Sequence, residues 1–285
     1  MRSLIVLAVI AAVVVGCDCT APSSDPSAGD AVQSGGWPDD PQRIVSMAPN
    51  TTELLFELGL GDRVVGVTRY CDWPAQTDEI DSIGGMLDPD FEAIVAAEPD
   101  VVVGTTDGAD AAVEDRLETA GLDYGFVPVD DIDSVRAAIE QFGDWFGVAD
   151  HARQLHRDFD AELDRAGSDA AGGTDGAGAL MVLDTDPVIA AGPGSLGDEL
   201  MAHAGLDNVL GGQVDDYPML DAEQILQLDP EVIIFTDIAA DGDEPEAFDE
   251  LDAPRVVHIE DPVVLRPGPR IPEAVELLVQ RLESP

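Results

Sequence analysis

This chain of 285 residues sets 59 acidic side chains against 13 basic ones, for a formal charge of −46, and every basic residue is arginine. With no cationic stripe to neutralise phosphates, most nucleic-acid roles are excluded. The favoured reading of the acidity is a solvated, self-repelling surface of the kind that suits a salt-adapted organism, with an acidic docking face for a basic partner as the alternative.

The chain opens on a short basic start, Met1-Arg2-Ser3, followed by an unbroken apolar run over residues 4–15. That run is too short to span a bilayer, which takes about 20 residues. It ends in Val14-Val15-Gly16-Cys17, which looks like a bacterial lipobox: small residues admit a peptidase and the thiol is then lipidated. Residues 1–17 are therefore expected to be a lipoprotein signal peptide, with acyl chains on Cys17 as a membrane anchor. A plain secretory peptide is the alternative. Residues 18–41 are Ser, Pro, Gly and Asp with little apolar content, the composition of a disordered tether. The remaining stretch of roughly 240 residues is long enough for two lobes with their own cores. Cys19 and Cys71 are poorly placed for a disulfide, and no metal-type cysteine pair remains beside a blocked Cys17.

Residues 43–47 read as a first strand. A helix over residues 53–58 follows, with Asn50 or Thr51 as N-cap and Gly59 as its stop. Residues 64–68 form a second strand, and a loop then carries Arg69, Tyr70, Cys71, Asp72, Trp73 and Pro74. After Met86 come a short amphipathic helix, a proline stop at Pro99 and a strand at 101–103. A helix at 111–120, ended by Gly121, and a strand at 124–129 complete an alternation that predicts a mostly parallel α/β lobe over residues 42–148.

A helix at 133–146 precedes a charged rod at 149–168 whose only apolar seam is Ala152, Leu155, Phe159 and Leu163. A thin seam suits a helix lying along two lobes better than one buried in a core. The second lobe, residues 178–285, has strands at 180–184 and 188–191, a turn at Gly192-Pro193-Gly194-Ser195, a helix at 196–204, a strand at 255–259 and a closing helix at 271–282. The G-x-G-x-x-G spacing at residues 192–197 reads as a plain turn.

Two segments recur. Residues 90–103 are echoed by 221–234, with Asp90, Glu92, Ile94, Pro99 and Val101 matched by Asp221, Glu223, Ile225, Pro230 and Val232. The helix beginning at Glu53 is likewise echoed by the one at Glu199, and Val64-Val65-Gly66 by Val209-Leu210-Gly211. Two units duplicated in the same order predict two lobes on one plan with a ligand cleft between them.

These features resemble the bacterial and archaeal substrate-binding proteins of ABC importers whose lobes are joined by one rigid helix, and the cobalamin binders among them most closely. The carriers are Arg43-Ile44-Val45-Ser46 with Pro49 and Thr52-Glu53, Val65-Gly66-Val67 with Tyr70, Asp72 and Pro74, both repeat copies, and the closing Arg266-Pro267-Gly268-Pro269-Arg270-Ile271. The resemblance implies two Rossmann-like α/β lobes joined by a backbone helix, and a macrocycle in the cleft. It places Tyr70 against a corrin ring, Met86 and Tyr217 where cobalamin binders carry tryptophan, and Asp261 and Arg266 as a polar pair. Thr105 and Ile189 stand at aromatic positions, so the stacking surface is thin. Trp73 adds a further candidate face. Glu92 and Glu223 fall where this family meets arginine pockets on the permease; read locally, each is an acid favouring a helix dipole.

The expected protein is thus a monomeric, lipid-anchored, extracytoplasmic receptor that hands cobalamin to an ABC permease and ATPase complex. Haem or a ferric siderophore on the same scaffold is the alternative, with Arg69, Arg266 and Arg270 as a basic edge. No G-x-S-x-G, Walker or H-E-x-x-H signature appears, and no resident cofactor or metal is expected. The four histidines are scattered, which disfavours bare-metal transport and a tetrapyrrole chelatase-like enzyme, the reading from a different class.

Overall fold

The computed structural model describes residues 31–34, 36–170, 176–212, 216–236, 248, 251 and 255–284. The signal peptide, Cys17 and Cys19 lie outside the described residues.

The first sheet comprises β1 (Val32–Gln33), β2 (Ile44–Ser46), β3 (Val64–Val67), β4 (Val101–Thr105) and β5 (Asp123–Val127), in the order β1-β5-β4-β2-β3. All neighbours are parallel except β1, which runs against β5. Every residue of β2 and β4 is buried, because parallel strands are covered by helices on both faces and need an apolar run rather than an alternation. The covering helices are α1 (Pro49–Glu57), α2 (Phe91–Ala96), α3 (Ala111–Ala120) and α4 (Ile132–Trp145). Helix α3 matches the expected bounds: Asp110 caps its start, and Gly121, at φ 71, takes the left-handed turn that a side chain resists.

The second sheet contains β6 (Ala177–Thr185), β7 (Val188–Ala190), β8 (Leu206–Asn208), β9 (Val232–Phe235) and β10 (Arg255–His258). Strands β10, β9 and β6 are parallel neighbours; β7 runs antiparallel on β6 and β8 pairs with the start of β6. Its helices are α6 (Leu196–His203), α7 (Ala222–Leu228) and α8 (Ile271–Glu283).

Between the sheets runs α5 (Ala149–Ala170), 22 residues or about 33 Å at 1.5 Å per residue. It packs on α4 of the first lobe and on α8 of the second. Its seam is as expected: Ala152, Phe159 and Leu163 are buried, joined by Ala166, with Leu155 half-buried. Arg136 of α4 ties to Asp160 at 2.8 Å, and Arg165 to Glu276 of α8 at 2.6 Å.

The duplication is a backbone fact. Asp90 caps α2 by accepting the Glu92 and Ala93 amides at 3.0 and 3.1 Å, and Asp221 caps α7 by accepting the Gln224 amide at 2.8 Å. Each helix is followed by a left-handed residue directly before the proline, Glu98 at φ 46 and Asp229 at φ 44. A residue before proline is driven out of the right-handed helix, so both units break at the same step and feed β4 and β9.

Three expectations are corrected. The tether does not run to residue 41, since β1 joins the first sheet and Trp37 stacks on Trp145 with centroids 4.8 Å apart and donates to the Trp145 carbonyl at 2.7 Å. The α1 N-cap is Ala48, not Asn50 or Thr51, because Pro49 starts the helix one turn early without needing an amide donor. The strand after α6 is Leu206–Asn208, so Val209-Leu210-Gly211 is the turn leaving it rather than the echo of β3.

Candidate functional site

The carboxyl ends of β4 and β5 release the chain into Asp107, Val129 and Asp130, and Leu183 stands within β6 close to its carboxyl end. Ligands of open α/β sheets settle outside such ends. Here the ends of the two lobes face one another across a cleft of about 330 Å³. The second lobe contributes Leu196 and Gly197 at the start of α6, Tyr217, and Val264, Leu265 and Pro267 from the closing loop. The wall is therefore aliphatic on the second lobe's side and acidic on the first lobe's.

The predicted site residues separate into three groups. Tyr217 lines the cleft and is half-exposed; burial of its ring, then the charges of Asp130, Asp216 and Asp107, push its hydroxyl above the usual range. Met86 packs next to this wall, since a Cβ at Gly108 would stand 2.9 Å from its Cγ. Asp261 is occupied as a cap, accepting the Val263 amide at 3.0 Å, and so fixes the turn that presents Val264 and Leu265 to the cleft. Tyr70 and Trp73 are exposed on the loop after β3 and are not among the residues lining the cleft. The Arg69 guanidinium lies over the Tyr70 ring and that of Arg270 over Trp73, at 5.1 and 4.2 Å. Thr105 ends β4 buried, and Ile189 bridges to the exposed Met219.

Arg266 reaches across the interlobe boundary. Its Nη1 donates to Glu53 Oε1 at 2.7 Å and to Asp72 Oδ1 at 2.8 Å. Arg270 stands 3.7 Å from the same Glu53 and donates to Glu273 at 2.7 Å. Both arginines of the closing loop are thus spent on acids of the protein, across the interlobe boundary. Burial pushes the Glu53 carboxyl up, against the opposing pull of Arg266 and Arg270. Asp72, by the rim, is held below the usual range despite partial burial, chiefly by the Arg266 hydrogen bond. Asn50, freed from capping, donates to the Pro267 carbonyl at 2.9 Å.

A second strut mirrors this one. Glu199 occupies in α6 the repeat position that Glu53 occupies in α1, and its Oε2 accepts the Ile132 amide at the start of α4 at 2.8 Å. Partial burial raises its carboxyl as well. Each copy of the duplicated helix therefore sends a glutamate into the opposite lobe. In the cleft wall, desolvation, then the neighbouring Asp107 and Asp131 charges, raise the Asp130 carboxyl. Sequence reasoning missed Asp107 and Asp130, although both directly follow strand ends where the topology places a ligand.

Glu92 and Glu223 are exposed in the first turns of α2 and α7. Glu223 accepts from Gln227 at 3.2 Å. Cys71 is buried, between the Thr52 and Thr68 hydroxyls at 3.2 and 3.1 Å. Among the described residues no group of three His, Cys, Asp or Glu side chains is arranged to hold a metal, and no helix is long and apolar enough to cross a membrane.

Comparison with known proteins places these features in context. The family model described as periplasmic binding protein matches residues 44–252. A vitamin B12-binding protein of Vibrio parahaemolyticus is 26% identical over 249 residues, covering 85% of this chain and 90% of that one. The solved periplasmic vitamin B12-binding protein of Vibrio cholerae superposes with a TM-score of 0.71 at 25% identity, over 85% of this chain and 97% of that one. A periplasmic haem-binding protein of a Roseiflexus species, in its apo form, superposes with a TM-score of 0.74 at 23% identity, over 85% and 97%.

Proposed function

Since the chain belongs to the periplasmic binding protein family, we propose that it captures a macrocyclic metal chelate, a corrinoid such as cobalamin, in the interlobe cleft and delivers it to an ABC permease and ATPase complex. The observation that carries this reading is the cleft itself: an aliphatic wall of Leu183, Leu196, Val264 and Leu265 beside the Tyr217 ring, at the carboxyl ends of facing sheets. Apolar faces with a few polar groups at the edge are what a flat ring with amide substituents requires. The vitamin B12-binding relatives in two Vibrio species support the same ligand class.

In this reading Tyr217 and Met86 contact the ring, and Tyr70 and Trp73 form an outer rim on the first lobe. Arg266 and Asp261 act indirectly: Arg266 fixes the spacing of the lobes, and Asp261 shapes the turn that carries Leu265. Glu92 and Glu223 are the permease contacts, one on each lobe, at equivalent points of the duplicated unit. The protein is extracytoplasmic, as a periplasmic binding protein is, and Cys17 anchors it to the membrane as a monomer.

Haem is the second reading, favoured by the fold shared with a haem-binding protein; a ferric siderophore belongs to the same alternative. Titration with cyanocobalamin, followed by quenching of the three tryptophans, tests the first reading. The expected result is a saturable signal at one ligand per chain in the micromolar range or tighter. No saturation there, with saturation by haemin, would transfer the assignment to haem.

A further inference from the structure

We infer that the cleft discriminates by ligand charge: it admits macrocycles with uncharged, amide-bearing edges and rejects those that present carboxylates. This rests on the reading of the cleft as a chelate site and adds the chemistry that selects among chelates.

Two independent observations carry it. The first concerns cations. A receptor for an anionic chelate needs arginines free to fork onto its carboxylates. Three arginines flank the cleft in sequence, and each is committed to the protein's own acids. Arg69 donates to both Asp88 oxygens at 2.6 and 2.7 Å. Arg266 is held by Glu53 and Asp72, and Arg270 by Glu273 and the Trp73 face. Glu53 is 1% exposed, so releasing Arg266 to a ligand would leave a buried carboxyl with only Arg270, 3.7 Å away.

The second concerns the wall. Asp107 and Asp130 line the cleft directly opposite its aliphatic side, with Asp216 close enough to act on Tyr217. A propionate or catecholate entering here meets like charge at short range. A carboxamide edge instead meets carboxylate oxygens that accept its N–H groups. Asp107 and Asp130 are accordingly specificity-determining residues, and Glu53 and Asp72 remove the arginines that would reverse the preference.

The test compares cyanocobalamin, neutral overall with amides at its ring edge, with haemin and with the neutral dimethyl ester of haemin. Binding is measured on the full chain at fixed ionic strength. The protein as it stands should bind cyanocobalamin at least about tenfold tighter than haemin, and esterification should recover much of the lost haemin affinity. The D107N/D130N double variant should narrow the gap. D115N/D144N, which removes the same charge from exposed positions of α3 and α4, should leave it unchanged and so separates the local wall from the overall charge of −46. Equal narrowing by both variants, or haemin binding as tightly as cyanocobalamin, overturns the inference while the chelate-binding reading stands. If no macrocycle binds, the reading fails and the inference with it. A thermal melt of each variant confirms that loss of binding is not loss of fold.

Discussion

The Glu53 carboxylate of α1 and the Arg266 guanidinium, 213 residues apart in sequence, meet at 2.7 Å across the interlobe boundary. This pair joins the lobes alongside α5, the Glu199–Ile132 and Asn50–Pro267 hydrogen bonds and a buried apolar cluster that spans both. It is a structural strut: it sets how far apart the facing strand ends stand.

Breaking it by Arg266→Ala leaves the buried Glu53 without its hydrogen-bonded partner and with only Arg270 at 3.7 Å, which should cost about 3 kcal/mol. Adding Glu53→Gln in the same chain should return part of that loss, because the orphaned charge is removed. Denaturant midpoints of the two single variants and the double variant measure the coupling directly.

The raised acids reverse the ordinary pH trend. Asp130 and Glu199 keep their protons to higher pH in the folded chain than in the unfolded one, from ordinary values of 3.8 and 4.5. Their stabilising contribution is full below those values and is lost as pH rises through the raised ones. The stability of the natural chain minus that of Asp130→Asn should therefore fall as pH rises past the ordinary value of 3.8. A difference that rises instead would show that Asp130 is lowered, not raised.

The overall charge gives a salt dependence. Screening contracts from about 10 Å at 0.1 M to about 3 Å at 1 M, which relieves repulsion among the excess acids. A gain of ~2 kcal/mol would raise the melting temperature by about 4–8 °C. Scanning calorimetry in increasing sodium chloride checks this, with sodium sulfate as a second salt of different surface exclusion.

The N-terminal segment is part of the first lobe. Trp37→Ala removes a ring stacked on Trp145 and edge-on to Phe146 at 5.5 Å, and should destabilise by about 3 kcal/mol. A chain beginning after residue 41 should be less stable still, since it also loses β1 and the Asp40–Arg63 ion pair at 2.7 Å.

What the sequence showed and what it hid have physical causes. The repeats were legible because capping acids, apolar spacing and a proline break recur at fixed offsets, and Glu98 and Asp229 confirm them in the backbone. The seam of α5 was legible because period 3.6 is a local signal. Strand β1 was not, since two residues carry no periodicity and sit among Gly, Pro and Asp. The partners of Arg266 were invisible because a contact over 213 residues leaves no trace in spacing. Asp107 and Asp130 were hidden by composition: among 59 acids, two more have no contrast. Only the topology, by bringing strand ends together, distinguishes them.

The central claim is that a chelate sits against Tyr217 between the lobes. Equilibrium dialysis of cyanocobalamin against the natural chain and Tyr217→Ala tests it most directly. One saturable site per chain, weakened at least about tenfold when the ring is removed and the fold retained, is the predicted result. Saturable binding that ignores the loss of Tyr217 would contradict the placement, and an empty dialysis cell would contradict the ligand class.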